Sequence, residues 1–160
     1  MVATIKVGKI AAAAGTTVNV ESGHVITQPG AVIQTVSMTV ATEVSSTSSS
    51  YVATNVTKDI TPKFSSSKIL VSLHCSIYNG GGGLGSCALY RDSTNLTDNS
   101  YGLGYCNASL PHCISTSYLD SPNTTSSVTY ALYFKTHNSN TVYANISNSQ
   151  SFMTLQEIAQ

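Results

Sequence analysis

The stretch Lys68-Ile69-Leu70-Val71-Ser72-Leu73-His74-Cys75-Ser76-Ile77-Tyr78 decides the fold class of this 160-residue chain. It begins as an apolar run and continues as alternating apolar and polar residues, which is typical of a buried central β-strand. The segment Val128–Thr136 has the same character and is rich in aromatic and β-branched residues, which favour strands. These two segments predict the central strands of a β-sheet protein.

Shorter segments with strand character surround these two. We predict further strands at Ala31–Thr39, Tyr51–Val56, Ser86–Arg91, Cys113–Leu119, Val142–Ile146 and Ser151–Ile158. Clusters of turn-forming residues separate them, at Asn79–Gly83, Asp98–Ser100, Ser121–Asn123 and His137–Asn140. Short strands at this spacing, with no amphipathic helix, predict an all-β fold, an antiparallel jelly-roll-like β-sandwich.

The N-terminal segment differs from the rest of the chain. Thr4–Ile10 and Thr16–Val20 look like brief strands, and Gln28-Pro29-Gly30 ends the segment with a turn. This segment has too little apolar surface for a core of its own. We therefore expect residues 1–30 to be an extended docking arm, ordered by packing on another subunit or a larger assembly, and residues 31–160 to be the β-sandwich head domain. A disordered tail is the alternative.

The chain carries very little charge, with 7 Lys and Arg against 7 Asp and Glu. Charged residues make up 9% of the sequence, against ~25% in an average protein. Nucleic acid is not an expected partner, because phosphate neutralisation needs grouped Lys and Arg. Membrane insertion is not expected either, because no 18-residue apolar window is present. Because charge is low, the strand edges lack the Lys and Glu residues that usually prevent pairing with another chain. This favours an assembled protein over a free monomer.

Motifs for catalysis are missing from the sequence. The seven carboxylates are scattered through turns and strand ends, and no Gly-x-Ser-x-Gly elbow is present. The run Gly80–Gly83 lacks the Lys-[Ser/Thr] and the helix of a phosphate-binding loop, so we interpret it as a mobile hairpin loop. We expect no catalytic residues, no cofactor and no enzymatic activity; a depolymerase would need converging carboxylates in a cleft.

The four cysteines are spaced too widely for a structural zinc site, with gaps of 11, 18 and 6 residues between Cys75, Cys87, Cys106 and Cys113. We expect no metal. Two disulfides are compatible with the predicted strands, Cys75 with Cys87 and Cys106 with Cys113. Buried free thiols are the favoured alternative, because a domain of this size does not need disulfide cross-links to be stable.

Several motifs resemble a family of virion proteins of tailed bacteriophages, common in marine and cyanobacterial phages and usually described as tail-fibre or structural proteins. The motifs, over roughly residues 30–158, are Gly30–Val36, Ser45–Val52, Ile60–Pro62, Ser65–Val71, Ser115–Pro122 and Thr154–Ile158. The opening Thr4–Val7 with Gly23-His24 resembles the arm that precedes this domain. The resemblance implies a homotrimeric β-rich appendage at the particle surface and supplies no catalytic motif. The cysteines and the glycine run depart from the family pattern.

The expected function is therefore that of a bacteriophage virion structural protein, a trimeric surface appendage and most simply a tail fibre that contributes to host attachment. A capsid decoration protein and a carbohydrate-binding module are the alternatives. The arm would bind other virion proteins, and loops of the head would contact a host surface glycan. We expect those contacts from Tyr78, Asn79, Tyr101, Tyr105 and His112, because these residues combine aromatic faces with hydrogen-bonding groups; packing between strands is the alternative for each tyrosine.

Overall fold

The computed structural model describes residues 28–107 and 110–160, and these residues form an all-β fold. Eleven strands and one short 3₁₀ helix are present in the described ranges. They are β1 (Val32–Val40), β2 (Val44–Ser46), β3 (Val52–Ile60), β4 (Lys68–Asn79), β5 (Gly85–Arg91), β6 (Thr94–Asn95), β7 (Gly104–Cys106), β8 (His112–Asp120), β9 (Val128–Thr136), β10 (Val142–Ala144), the 3₁₀ helix Ile146–Asn148 and β11 (Ser151–Ile158). The predicted arm, except for its last three residues, lies outside the described residues.

The strands form two antiparallel sheets that pack as a sandwich, as the sequence predicts. The six-stranded sheet has the order β1-β11-β4-β10-β2, and β8 also pairs with β4. The five-stranded sheet has the order β3-β9-β5-β6, and β7 also pairs with β5. We call them sheet A and sheet B. The predicted jelly-roll-like β-sandwich is therefore the observed fold.

Strand β4 is the centre of sheet A because both of its edges are paired. Strands β11 and β10 pair with successive parts of one edge, and β8 pairs along the other. Its odd-numbered residues from Ile69 to Asn79 point into the sandwich and are fully or almost fully buried. Its even-numbered residues point outward, as the two-residue period of a strand requires.

The core lies between the inward faces of the two sheets. Its largest fully buried side chains are Tyr130 and Phe134 from β9, Leu89 from β5, and Ile69 and Met153 from sheet A. Burying each apolar side chain of this size contributes ~1.5–3 kcal/mol to folding. The apolar positions of the two longest predicted strands are thus the core positions of the fold.

One ion pair connects the two sheets within the described part of the chain. Asp120 at the end of β8 accepts hydrogen bonds from Arg91 Nη1 at 2.7 Å and from the Tyr130 hydroxyl at 2.6 Å. Burial, followed by the hydrogen bond and the negative charge of Asp120, raises the pKa of Tyr130 well above its ordinary value, so the hydroxyl stays protonated and donates. This cluster fixes the position of sheet A over sheet B at one edge of the sandwich.

Of two local predictions, one needs correction and one is confirmed. The predicted strand Val142–Ile146 ends at Ala144, because Asn145 adopts left-handed backbone with φ 58° and starts the 3₁₀ helix. The buried Asn145 side chain donates to Thr42 O and to Asn55 Oδ1, both at 2.8 Å, which stabilises this turn. The predicted turn at Gln28-Pro29-Gly30 is confirmed, with Ala31 N donating to Gln28 O at 2.8 Å.

Candidate functional site at the loop end of the sandwich

One end of the sandwich collects the loops that carry the predicted contact residues. We call it the loop end. Strand β4 ends there at Asn79, β9 ends there at Thr136, and β5 begins there at Gly85, which pairs with Thr136 and Cys106. Strand β8 begins beside it, since His112 pairs with Ile77. The five residues predicted as host contacts therefore lie at or next to this end, but the structure gives them different roles.

Asn79 holds the glycine loop and is fully buried. Its Oδ1 accepts hydrogen bonds from Gly81 N at 3.2 Å and Gly83 N at 3.3 Å, and its Nδ2 donates to Thr136 Oγ1 and Asn138 Oδ1, both at 3.4 Å. The prediction that Asn79 contacts a host surface is therefore wrong. The Asn79 amide oxygen accepts from backbone N–H groups of the turn, which would otherwise have no hydrogen-bond partner.

The glycine run is shaped to receive two asparagine side chains. A Cβ at Gly81 would collide with the Asn140 amide, and a Cβ at Gly83 would collide with the Asn138 amide. The loop between β4 and β5 thus interlocks with the loop between β9 and β10. The expected hairpin loop is present, but it is held by these contacts and by Asn79 instead of being left free.

A cleft of about 310 Å³ opens between these two loops. Its lining residues are Gly80, Gly81, Ser139, Asn140, Thr141 and Tyr143. Tyr143 pairs across the strands with the predicted contact Tyr78, and their ring centroids are 5.8 Å apart. We call this the Tyr143 cleft. It combines an aromatic ring with amide, hydroxyl and backbone groups and contains no charged side chain.

A second aromatic group, the Tyr101 patch, lies on the sheet B side of the loop end. Tyr101 and Tyr105 are each about half exposed, with ring centroids 5.1 Å apart, and the His137 ring is 6.0 Å from Tyr101. The turn that carries Tyr101 is fixed by Asn99, whose Oδ1 accepts from Tyr101 N at 2.9 Å. Gly102 has φ +62° and lies against the Cys87 carbonyl, so no other residue fits there without strain.

Further tyrosines on the outer face of sheet B were not predicted as part of this group. Tyr90 stacks on Tyr133 with ring centroids 3.9 Å apart, and Tyr51 meets Tyr90 edge-on at 6.1 Å. The Lys135 ammonium lies 4.4 Å above the Tyr51 ring. The alternation in β5 and β9 places Tyr90, Tyr133 and Lys135 on the outward side of each strand. Their contact depends on the register between the strands, which the sequence does not specify.

Ser86 and His137 form a Ser–His contact, with Oγ and Nε2 3.0 Å apart. Ser86 is fully buried, and its hydroxyl is also 3.3 Å from the Tyr51 hydroxyl. Burial and the nearby Lys135 lower the pKa of His137, so its ring is neutral at pH 7. Within the described ranges no carboxylate bonds to this imidazole. A hydroxyl without exposed surface is suited to fixing the ring and not to attacking a substrate.

His112 and Tyr78 lie apart from the Tyr101 patch. His112 is the first residue of β8 and is partly exposed next to residues 108–109, which are outside the described ranges. Tyr78 lies on the outward side of sheet A, beside Tyr143. The structure thus divides the predicted contacts between the two faces of the sandwich and adds Tyr143 and Asn140, which the sequence analysis did not single out.

The cysteines are free thiols, the alternative favoured from the sequence. Cys75 on β4 and Cys87 on β5 belong to opposite sheets and are not a cross-strand pair. Cys106 is buried, whereas Cys113 is exposed. Burial raises the pKa of Cys87 well above its ordinary value, which keeps it protonated and unreactive.

In the part of the chain described, no three His, Cys, Asp or Glu side chains come together in a way that could hold a metal ion. The same part contains no helix able to cross a membrane.

No protein-family model and no curated protein matches the sequence. Solved structures with a similar arrangement include particles of infectious bursal disease virus. A T=1 particle derived from this virus has 10% identity and a TM-score of 0.45, covering 90% of this chain and 40% of that chain. The VP2 subviral particle has 9% identity and a TM-score of 0.44, covering 90% and 42%. The chain spans about two fifths of the length of these viral particle proteins.

Proposed function

We propose that this chain is a structural protein of a bacteriophage virion, a homotrimeric appendage at the particle surface and most simply a tail fibre that contributes to host attachment. The role is non-enzymatic. The phage context and the trimeric state come from the sequence resemblance over residues 30–158. The observation that best supports an assembled protein is the outward side of sheet A, which has unpaired strand edges and very little charge.

Two long strand edges of sheet A have no neighbour among the described strands. Strands β8 and β1 are nine residues each, and each pairs with one described strand, β4 and β11 respectively. Neither contains Lys, Glu, Arg or Pro, which often block an edge, and the one carboxylate, Asp120 at the end of β8, is engaged by Arg91. An edge of this kind pairs readily with another chain unless an assembly covers it. The two edges therefore support an assembled state.

The outward face between these edges is almost uncharged. It presents mainly Ser and Thr side chains, with Leu119 and Phe152 each about half exposed, and Phe152 stacks on His74 at 5.4 Å. Lys68, at the start of β4, is the one Lys or Arg at its outward positions. A face with so little charge does not strongly repel a copy of itself, which suits a symmetric homo-oligomer.

A charge placed on this face tests the proposed assembly. Leu119→Lys adds a second cation to this almost uncharged face and should reduce the oligomer to monomers of 16.7 kDa, measured by sedimentation velocity at a fixed protein concentration. Tyr105→Lys is the matched control, because Tyr105 is about as exposed as Leu119 but belongs to β7 in sheet B. Equal oligomer masses for both variants would count against an interface on sheet A.

The position of the protein on the particle separates the alternatives. Immunogold electron microscopy of the phage that encodes the chain should place the label on tail fibres. Label spread over the capsid shell would favour a decoration protein. Absence from the particle, together with a monomeric chain that binds sugar, would favour a carbohydrate-binding module, which the aromatic groups of the loop end also suit.

A further inference from the structure

We propose that the Tyr143 cleft is a binding site for a neutral sugar, one or two rings of a host surface glycan. This inference deepens the host-attachment part of the proposed function and rests on it. The residues that carry it are Tyr143, Asn140, Ser139 and the backbone of Gly80 and Gly81. Asn79 and the glycine run are the structural support for this site.

The size of the cleft suits a small ligand. Its volume of about 310 Å³ lies at the lower end of the range of ligand sites, ~300–1,000 Å³. The cleft lies between two loops that interlock through Gly81 with Asn140 and Gly83 with Asn138. A site built this way is largely formed before the ligand arrives, so little ordering energy is lost on binding.

The side chains in the cleft match the chemistry of a sugar ring. A pyranose has an apolar face, which packs on an aromatic ring, and a rim of hydroxyl groups, which donate and accept hydrogen bonds. Tyr143 supplies the ring, and Gly80 allows it to lie close to the loop backbone, since a Cβ there would come 3.2 Å from Tyr143 Cε2. The cleft therefore offers a stacking surface with polar groups beside it.

Asn140 differs from Asn138, two residues earlier, in the hydrogen bonding of its side-chain amide. Asn138 Oδ1 accepts from Thr136 Oγ1 at 2.9 Å and from Asn79 Nδ2 at 3.4 Å. The Asn140 amide lies against Gly81 at the cleft wall and makes no hydrogen bond to a described residue. An amide can donate two hydrogen bonds and accept two, which suits a pair of adjacent sugar hydroxyls.

The backbone at the cleft wall is strained at a residue that lines it. Ser139 has φ 61°, a left-handed conformation that is costly for a residue other than glycine. It directs the Ser139–Thr141 segment along the cleft and adds a hydroxyl to its rim.

The absence of charged side chains in the cleft disfavours ionic ligands. No Lys, Arg, His, Asp or Glu is among its lining residues. An anionic sugar such as a uronic or sialic acid would lose hydration without gaining a counter-charge. Neutral hexoses and N-acetylhexosamines are therefore the expected ligand class.

The test is an NMR titration of the ¹⁵N-labelled full chain with glucose, galactose, mannose and N-acetylglucosamine, and with glucuronic acid as the charged comparison. We expect at least one neutral sugar to shift the Asn140 side-chain amide and the Gly81 amide with a Kd of about 1 mM, the scale for a ligand of a dozen atoms. Glucuronic acid should bind at least tenfold more weakly. No shift at these groups with any neutral sugar would overturn the proposal.

Variants assign the binding to this cleft. Tyr143→Ala and Asn140→Ala should each weaken binding at least tenfold, whereas Tyr143→Phe, which keeps the ring, should stay within threefold. Tyr101→Ala is the control on the other aromatic patch and should bind as the parent chain does; loss of binding in this variant alone would place the site at the Tyr101 patch and contradict the proposal. An unchanged thermal midpoint in Asn140→Ala separates lost contact from lost folding.

The two proposals fail in different ways. If neutral sugars do not bind but the chain is trimeric and present on the particle, the cleft inference is wrong and the virion role remains supported. If sugar binds in the cleft but the chain is monomeric and absent from particles, the virion role is wrong and the cleft belongs to a carbohydrate-binding module.

Discussion

Glu157→Gln is the substitution with the most clearly defined effect on stability. Glu157 is fully buried on β11, and no Lys or Arg within the described ranges forms an ion pair with it. Its Oε1 accepts from Lys63 N at 2.8 Å and Phe64 N at 3.1 Å, and its Oε2 accepts from Gln34 Nε2 at 2.6 Å. The carboxylate thereby ties the segment between β3 and β4 to the end of β11.

The size of the effect follows from these three hydrogen bonds. Glutamine has the same shape but carries no charge, and its amide nitrogen would face the Gln34 amide nitrogen, so that one bond is lost. The two backbone bonds remain but weaken, because a bond to a charged acceptor contributes ~1.5–3 kcal/mol and a neutral one ~0.5–1.5 kcal/mol. We expect Glu157→Gln to lower the free energy of unfolding by about 2–3 kcal/mol at pH 7.

Glu157 also makes the stability of the fold depend on pH. Burial alone would raise the pKa of Glu157, but the hydrogen bonds from Lys63, Gln34 and Phe64 outweigh it and hold the pKa below its ordinary value of 4.5. A carboxyl group with a lowered pKa in the folded state stabilises the fold at pH values above 4.5. This contribution is lost as the pH falls below 4.5 and through the folded-state pKa. Glu157→Gln should lack this part of the acid sensitivity.

The assay is urea denaturation of both chains at one protein concentration, at pH 7 and in steps down to pH 3, because assembly makes stability concentration-dependent. Glu43→Gln is the control: Glu43 is partly exposed and accepts one backbone bond, from Ser147 N at 2.8 Å. It should change the free energy of unfolding by less than about 1 kcal/mol. A loss below about 0.5 kcal/mol in Glu157→Gln, or an unchanged pH slope, would refute the reasoning.

Three other predictions concern the sheet contact, the cleft and the arm. Asp120→Ala leaves the buried Tyr130 hydroxyl without an acceptor and should destabilise the fold by about 3 kcal/mol in urea denaturation, against about 1 kcal/mol for Tyr130→Phe; equal losses would contradict the role of the cluster. Gly81→Ala should displace the Asn140 amide and abolish neutral-sugar binding while the circular dichroism spectrum keeps its β signature. Deletion of residues 1–30 should leave the head folded, by the same spectrum, and remove it from purified particles; unchanged incorporation would refute the docking role.

The long strands could be predicted from the sequence because alternation records burial directly. The predicted bounds of β9 and β11 agree with the structure, and β4 differs by one residue. The short strands β2, β6 and β7 were not predicted, since two or three residues cannot show a period of two. Their existence depends on neighbouring strands and not on their own sequence.

The loop end was predictable in its parts but not in its geometry. Tyr101 and Tyr105 lie together because the short segment between them returns the chain to β5. Asn79 was misinterpreted as a surface residue, although the alternation of β4, continued by one more residue, places it inside. Tyr143 and Asn140 come together with the glycine loop only through the pairing of β10 with β4. That pairing is a tertiary contact, and the sequence contains no local signal for it.

The central proposal is that this charge-poor β-sandwich is a homotrimer and not a free monomer. Sedimentation equilibrium of the full chain at micromolar concentration measures this directly, without dependence on shape. The account predicts a species of three times the chain mass of 16.7 kDa. A folded, stable species of 16.7 kDa across the whole concentration range would contradict it.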